Sequence, residues 1–256
     1  NVAAAGAEPV GVLLTVLLPE ETQEAELAQL MERAEEICSL WQAEILGGHT
    51  EVIPVVREPV MTVTGVGLRD ALQSDRLSGI GPGQDIVVSK WIGLEGTVRL
   101  ARHYRKELSK RFPSRMIENA AHYDRYLSVI PEAATAVKSG VCGMHDVSRG
   151  GIFAALWEMA SGAGVGLNID LKKLPVRQET IEICEYFTLN PYELLSGGCL
   201  IMAAPEGEKL VRDLAGADIP AVVVGRTTGG NDRVLYNGEE KRYLDMPKTD
   251  QIYHKF

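Results

Sequence analysis

The feature that most limits the fold is an apolar run rich in β-branched residues, Val10–Leu18, followed directly by a segment with helical periodicity. A short apolar run bounded by polar residues reads as a buried strand. Across Glu20–Leu40, the side chains of Leu27, Leu30, Met31, Ala34 and Ile37 fall on one stripe with charge opposite. That pattern predicts an amphipathic helix laid on a sheet. A short strand over Ala43–Leu46, ending at Gly47-Gly48, and another over Pro59–Gly67 extend the series. The order β-α-β-β gives an α+β layout, a sheet with helices on one face. The run is too short to span a bilayer, and no other segment predicts a membrane span. Nor is a secretory leader expected in this run, which has no initiator Met or basic start before it and is preceded by small residues.

The densest break is Ser78-Gly79-Ile80-Gly81-Pro82-Gly83, a turn or linker composition. It divides the expected domains, residues 1–80 and 81–256. The second begins with a strand at Asp85–Ser89 and a helix at Thr97–Leu108. Further strands are expected near Val141–Met144, Val165–Ile169, Cys199–Ala203, Ala221–Val224 and Arg233–Tyr236. Helices are expected near Gly151–Met159, Glu179–Tyr186 and Glu206–Leu214.

Charge and cysteine usage narrow the function. A net charge of -9 argues against a general nucleic-acid binder, which needs a basic face. The four cysteines form no C-x-x-C pair, so neither a disulfide scaffold nor a structural zinc site is expected, and the compartment reads as the cytoplasm.

Candidate chemistry gathers at β-to-α junctions. Lys90-Trp91-Ile92-Gly93-Leu94-Glu95-Gly96-Thr97 joins a buried strand to a helix. Glycines there either let the backbone approach a phosphate at the helix N-terminus or simply make a turn. His145-Asp146-Val147-Ser148-Arg149-Gly150-Gly151 is a second such junction. Asp146 has two open roles, Mg²⁺ ligand or N-cap, and Arg149 is placed to meet a phosphate. Gly47-Gly48-His49-Thr50-Glu51 sets polar groups after a glycine pair, and Ser196-Gly197-Gly198 is a further glycine turn. Cys142 and His145 are spaced as C-x-x-H, but two ligands make no zinc site.

In their order along the chain these segments resemble one superfamily. NVAAAGAEP, GGHTEV, VTGVG, GQDIVVSKWIGLEGT, MHDVSRGGIFAALWEMASGAGVGLNID, LPVRQETIEICEYFTLNPYELLSGGCLIMA and VVVGRTT look like their counterparts in AIR synthase-like proteins. That superfamily includes formylglycinamidine ribonucleotide synthetase, selenophosphate synthetase, thiamine-monophosphate kinase and HypE-type hydrogenase maturation factors, and the longest stretch is most similar to the HypE type. The resemblance implies a PurM-like α+β fold: an N-terminal mixed sheet that dimerises, followed by a C-terminal α+β sandwich. It also implies ATP and Mg²⁺ as cofactors, a homodimer, and phosphorylation of an amide, carbonyl or similar oxygen of a small molecule or partner protein. The alternatives are a non-catalytic nucleotide-binding scaffold and a hydrogenase-maturation-related factor.

Carried over position by position, the resemblance gives Asp146 the metal, with Asn1 as a second ligand position. Lys90, Gly93, Glu95, Gly96, Thr97, Arg149, Gly150 and Gly151 take the nucleotide phosphates, and His49 with Glu51 the reacting group. Asn1 and His49 stand where many members carry Asp, which weakens the metal set. Members also keep a glycine-rich, Asp-containing stretch ahead of the position matched by Asn1. HypE-type proteins end in a reacting cysteine, whereas this sequence ends Tyr253-His254-Lys255-Phe256, so the carbamoyl-to-cyanide conversion is not expected.

Overall fold

The computed structural model describes residues 1–69 and 77–256, and the chain divides into two compact units, Asn1–Gln73 and Ser74–Phe256. In the first unit, strand β1 (Glu8–Leu18) is central, flanked by β2 (Glu44–Val52) in parallel and β3 (Val60–Leu68) in antiparallel pairing. Helix α1 (Glu24–Leu40) covers one face, with Leu27, Leu30, Met31 and Ala34 packed on Leu14, Val16 and Leu18. The helix starts at Glu24 rather than Glu20 because Gln23 and Glu26 form a reciprocal capping box.

One expectation is corrected: β2 does not stop at Gly47-Gly48 but runs through it to Val52. The register of β1 on β2 shifts between Val12 and Leu13, where Leu46 is skipped, so a bulge precedes the glycine pair, which itself pairs with Leu13 and Leu14. Gly48 has φ +152°, and a Cβ there would lie 1.8 Å from the Leu14 carbonyl oxygen. A Gly48→Ala variant is therefore expected to lose about 3 kcal/mol, through backbone strain and forced separation of β1 from β2. A denaturant titration followed by circular dichroism checks it, and an unchanged midpoint would refute the close approach of Gly48 to Leu14.

The second unit holds a seven-stranded sheet built from β4 (Asp85–Ser89), β5 (Gly143–Asp146), β6 (Gly166–Asp170), β7 (Leu200–Ala204), β8 (Ala221–Thr228), β9 (Arg233–Asn237) and β10 (Glu240–Tyr243). The spatial order is β10-β9-β6-β8-β4-β7-β5, and the β6–β9 pair is parallel while the other pairs are antiparallel. Its helices are α2 (Leu94–His103), α3 (Arg105–Leu108), α4 (Ser114–Ala121), α5 (Ile130–Ser139), α6 (Gly151–Ala163), α7 (Gln178–Phe187) and α8 (Gly207–Ala215). Ile152, Leu156 and Met159 of α6 pack on Ile86, Val88, Leu167 and Ile201 of the sheet. A second cluster joins α2, α4 and α7 through Leu100, Ile117, Ile183 and Phe187.

The single helix expected over Thr97–Leu108 is two, broken at Tyr104. That ring packs against Phe187, and its hydroxyl donates to the Lys255 carbonyl. Both units have the α+β character read from the sequence.

Candidate functional site

In the second unit the two β-to-α junctions mesh with a third loop. After β5, residues Val147–Gly150 turn the chain into α6, with Gly150 and Gly151 at φ 75° and 64°. A Cβ on Gly151 would lie 2.4 Å from the Tyr192 carbonyl oxygen, so no larger residue fits between loop and helix. The Val147 N–H donates to the Cys199 carbonyl (3.0 Å), and the Ser196 N–H donates to that of Ser148 (3.2 Å).

The loop after β4 joins the same framework. The Gly93 N–H donates to the buried Ser196 hydroxyl (2.7 Å), which in turn donates to the Leu194 carbonyl (2.6 Å). The Gly96 N–H donates to the Leu195 carbonyl (2.8 Å). Thr97 is wholly buried, its hydroxyl on the Gly93 carbonyl (2.7 Å) and the Thr180 hydroxyl (2.9 Å).

The clamp on this assembly is a residue the sequence reading missed. Asp250, only 3% exposed, accepts from the Gly150 N–H (2.7 Å), the Leu195 N–H (3.1 Å) and the Ile252 N–H (2.8 Å). Its carboxylate thus sits at the N-terminus of α6, where the helix dipole favours an anion. The Gly150 amide, expected to face a phosphate, is used inside the fold.

Charge collects at the rim. Burial raises the Glu95 pKa above the usual carboxylate value; Arg99 opposes the shift, Asp250 adds to it and Arg149 opposes it. Arg149 and Arg99 themselves are exposed. Asp146 ends β5, partly buried, and its carbonyl contacts His145 Nδ1 at 2.7 Å. His145 Nε2 lies 3.3 Å from Glu158, so its polar contacts lead away from Cys142.

The structure therefore brings Gly93, Glu95, Gly96 and Thr97 together with Arg149, Gly150 and Gly151. Lys90 is placed differently from a phosphate ligand: it is 7% exposed and its ammonium is fully engaged. Nζ meets Glu132 Oε1 at 2.5 Å and donates to the carbonyls of Tyr126 (2.7 Å) and Ser128 (2.6 Å).

Asn1, His49 and Glu51 belong to the first unit. His49 Nε2 lies 3.3 Å from Glu51 Oε2, with side chains 64% and 54% exposed, and both stand on the sheet face opposite α1 beside Thr15 and Leu17. Asn1 precedes a short turn of helix, Ala3–Ala5, and its carbonyl accepts the Ala5 N–H (3.0 Å). Among the described residues no three His, Cys, Asp or Glu gather to hold a metal, and no helix is long and apolar enough to cross a membrane.

Comparison with known proteins agrees with this architecture. The profile "AIR synthase related protein, N-terminal domain" matches residues 1–69, and "AIR synthase related protein, C-terminal domain" matches residues 81–237. A putative hydrogenase expression/formation protein of Methanocaldococcus jannaschii is 25% identical over 98% of this chain and 74% of its own length. The carbamoyl dehydratase HypE of Rhodobacter capsulatus is 27% identical, again over 98% of this chain and 74% of its own. Among solved structures, hydrogenase maturation protein HypE in complex with ATP superposes with a TM-score of 0.78. That match has 21% identity and covers 98% of this chain and 77% of that one.

Proposed function

Because the chain belongs to the AIR synthase related protein family, we propose that it is an ATP- and Mg²⁺-dependent enzyme that activates an oxygen of its substrate by phosphorylation. The observation that carries this reading is the meshing of the Gly93–Thr97 and Asp146–Gly151 loops, which sets the Glu95 carboxylate within the electrostatic reach of Arg149 and Asp250. The solved relative that holds ATP supports the choice of nucleotide.

The residues present fit such a cofactor. Mg²⁺ takes one or two carboxylates and completes its shell with phosphate oxygens and water, so a preformed protein cage is not required. Asp146 supplies such a carboxylate. Bound Mg·ATP would bring the transferable phosphoryl group and the neutralising metal charge. Arg149, exposed at the rim, offers a planar pair of donors suited to phosphate oxygens. Gly93, Gly96, Thr97, Gly150 and Gly151 shape the loops, and Lys90 ties the start of the first to Tyr126, Ser128 and Glu132. His49 paired with Glu51 is the acid–base candidate, and Asn1 the neutral member of the metal set.

An Arg149→Ala variant tests the assignment. ATP affinity is expected to fall about tenfold with the melting temperature nearly unchanged, the loss typical of one charge-assisted contact. Unchanged affinity would remove Arg149 from the site.

The same reading makes the protein a cytoplasmic homodimer joined through the first unit. Opposite α1, the sheet leaves Leu13, Leu46, Val60 and Val66 exposed on one face. Such an apolar face is stabilised by a self-complementary partner. Sedimentation velocity is expected to show a dimer for the native protein and a monomer for Leu13→Glu. A native monomer would refute this arrangement.

A further inference from the structure

The β9–β10 hairpin of the second unit, the turn at Leu171–Lys173 and Tyr192 enclose a cleft of about 630 Å³. Its walls carry Lys172, Lys241 and Arg242 against a single carboxylate, Glu240. In a chain of net charge -9 this is a local reversal of sign.

The side chains of those cations are not neutralised by one another's neighbours. Five basic side chains of this unit are held by carboxylates: Lys90 by Glu132, Arg102 by Asp124, Arg105 by Glu118, Lys209 by Asp213 and Arg226 by Asp85. Among the described residues Lys172, Lys241 and Arg242 form no ion pair. Two of them lie against rings instead: the Arg242 guanidinium is 5.4 Å from the Phe153 ring centre, and the Lys241 ammonium 5.6 Å from that of Tyr243. Cations lining one concavity repel one another, and an anion placed among them relieves that repulsion.

The cleft also has a flat apolar side. Tyr192 stacks on Phe153 with ring centres 5.1 Å apart and planes 7° from parallel, and Leu235 lies beside it. The volume falls in the range of small-molecule sites, with few polar groups set on an apolar wall. Neither Asp146, Arg149 nor Glu95 lines it.

We propose that this cleft is a second binding site, separate from the nucleotide loops, for a small organic phosphate monoester with a flat, apolar body. A phosphate monoester carries between one and two negative charges near neutral pH, which suits three cations opposed by one carboxylate. Tyr192 receives the flat body.

Phenyl phosphate is the probe, titrated calorimetrically into the full-length protein without ATP. Saturable one-to-one binding is expected, weakened at least tenfold in the Lys241→Ala/Arg242→Ala double variant and weakened also in Lys172→Gln. It should remain as in the native protein in Arg149→Ala. All three substituted cleft residues are exposed, and a melting curve verifies that each variant is folded. Absence of saturation at millimolar probe, or equal binding by the cleft variants, overturns the proposal. Equal or tighter binding of phthalate, an aromatic dicarboxylate, overturns the phosphate assignment. Loss in Arg149→Ala alone would move the probe to the nucleotide loops and overturn the second site, so failure here is distinct from failure of the ATP reading.

Discussion

Replacing Lys90 by methionine is expected to destabilise the second unit by about 3–5 kcal/mol, the cost typical of stranding one partner of a buried ion pair. Glu132 is 2% exposed, its Oε1 is held by Lys90 and its Oε2 has no hydrogen-bond partner. Without the ammonium, the carboxylate is left buried without its partner. The Lys90→Met/Glu132→Leu double variant, of similar shape and without charge, is expected to recover most of the loss. Chemical denaturation of both variants reads this directly. The double variant also separates two roles for Lys90. If the lysine only braces the loops, ATP affinity in the refolded double variant equals that of the native protein. If affinity falls while stability is restored, Lys90 reaches the phosphates by leaving Glu132.

The second large effect is expected at Asp146. Exchanging its carboxylate for an amide in Asp146→Asn keeps the shape and removes the charge a metal needs. Affinity for ATP in the presence of Mg²⁺ should fall at least tenfold, about 1.4 kcal/mol or more. Without nucleotide the melting temperature should barely move. Unchanged nucleotide affinity would remove Asp146 from the metal site; the helix-capping role open in the sequence is corrected by the structure, where the N-cap of α6 is Gly150 and its N–H donates to Asp250.

The contrast between these two residues shows what the sequence made legible. The strand Asp85–Ser89 was readable as a continuous apolar run, and the stripe of Leu27, Leu30, Met31 and Ala34 because burial of one face imposes a helical period. The loops at Gly93 and Gly150 were readable as β-to-α junctions because left-handed turns select glycine. Lys90 was assigned to the phosphates through the resemblance, as part of the loop that follows β4. Its actual partner sits on α5, a helix hidden in Arg105–Ser139, where no continuous apolar stripe announces α4 or α5.

Long-range contacts were out of reach for the same reason. Asp250 caps Gly150 across 100 positions of sequence, from a tail without periodicity. A lone aspartate there is indistinguishable from a solvated one until the fold brings an amide to it. The Gly47-Gly48 pair misled in the other direction. Glycines usually end strands, yet here they follow a bulge and β2 continues through His49 and Glu51. The ordered set of segments resembling AIR synthase-like proteins supplied what periodicity did not, the family to which both domains belong.

The most direct test of the central claim is a calorimetric titration of the full-length protein with ATP, in Mg²⁺ and then with the metal chelated. An ATP- and Mg²⁺-dependent enzyme binds one nucleotide per chain in the presence of the metal and loses most of that affinity without it. Absence of binding at millimolar ATP in either condition would contradict the account and leave a dimeric scaffold of this family as the better description.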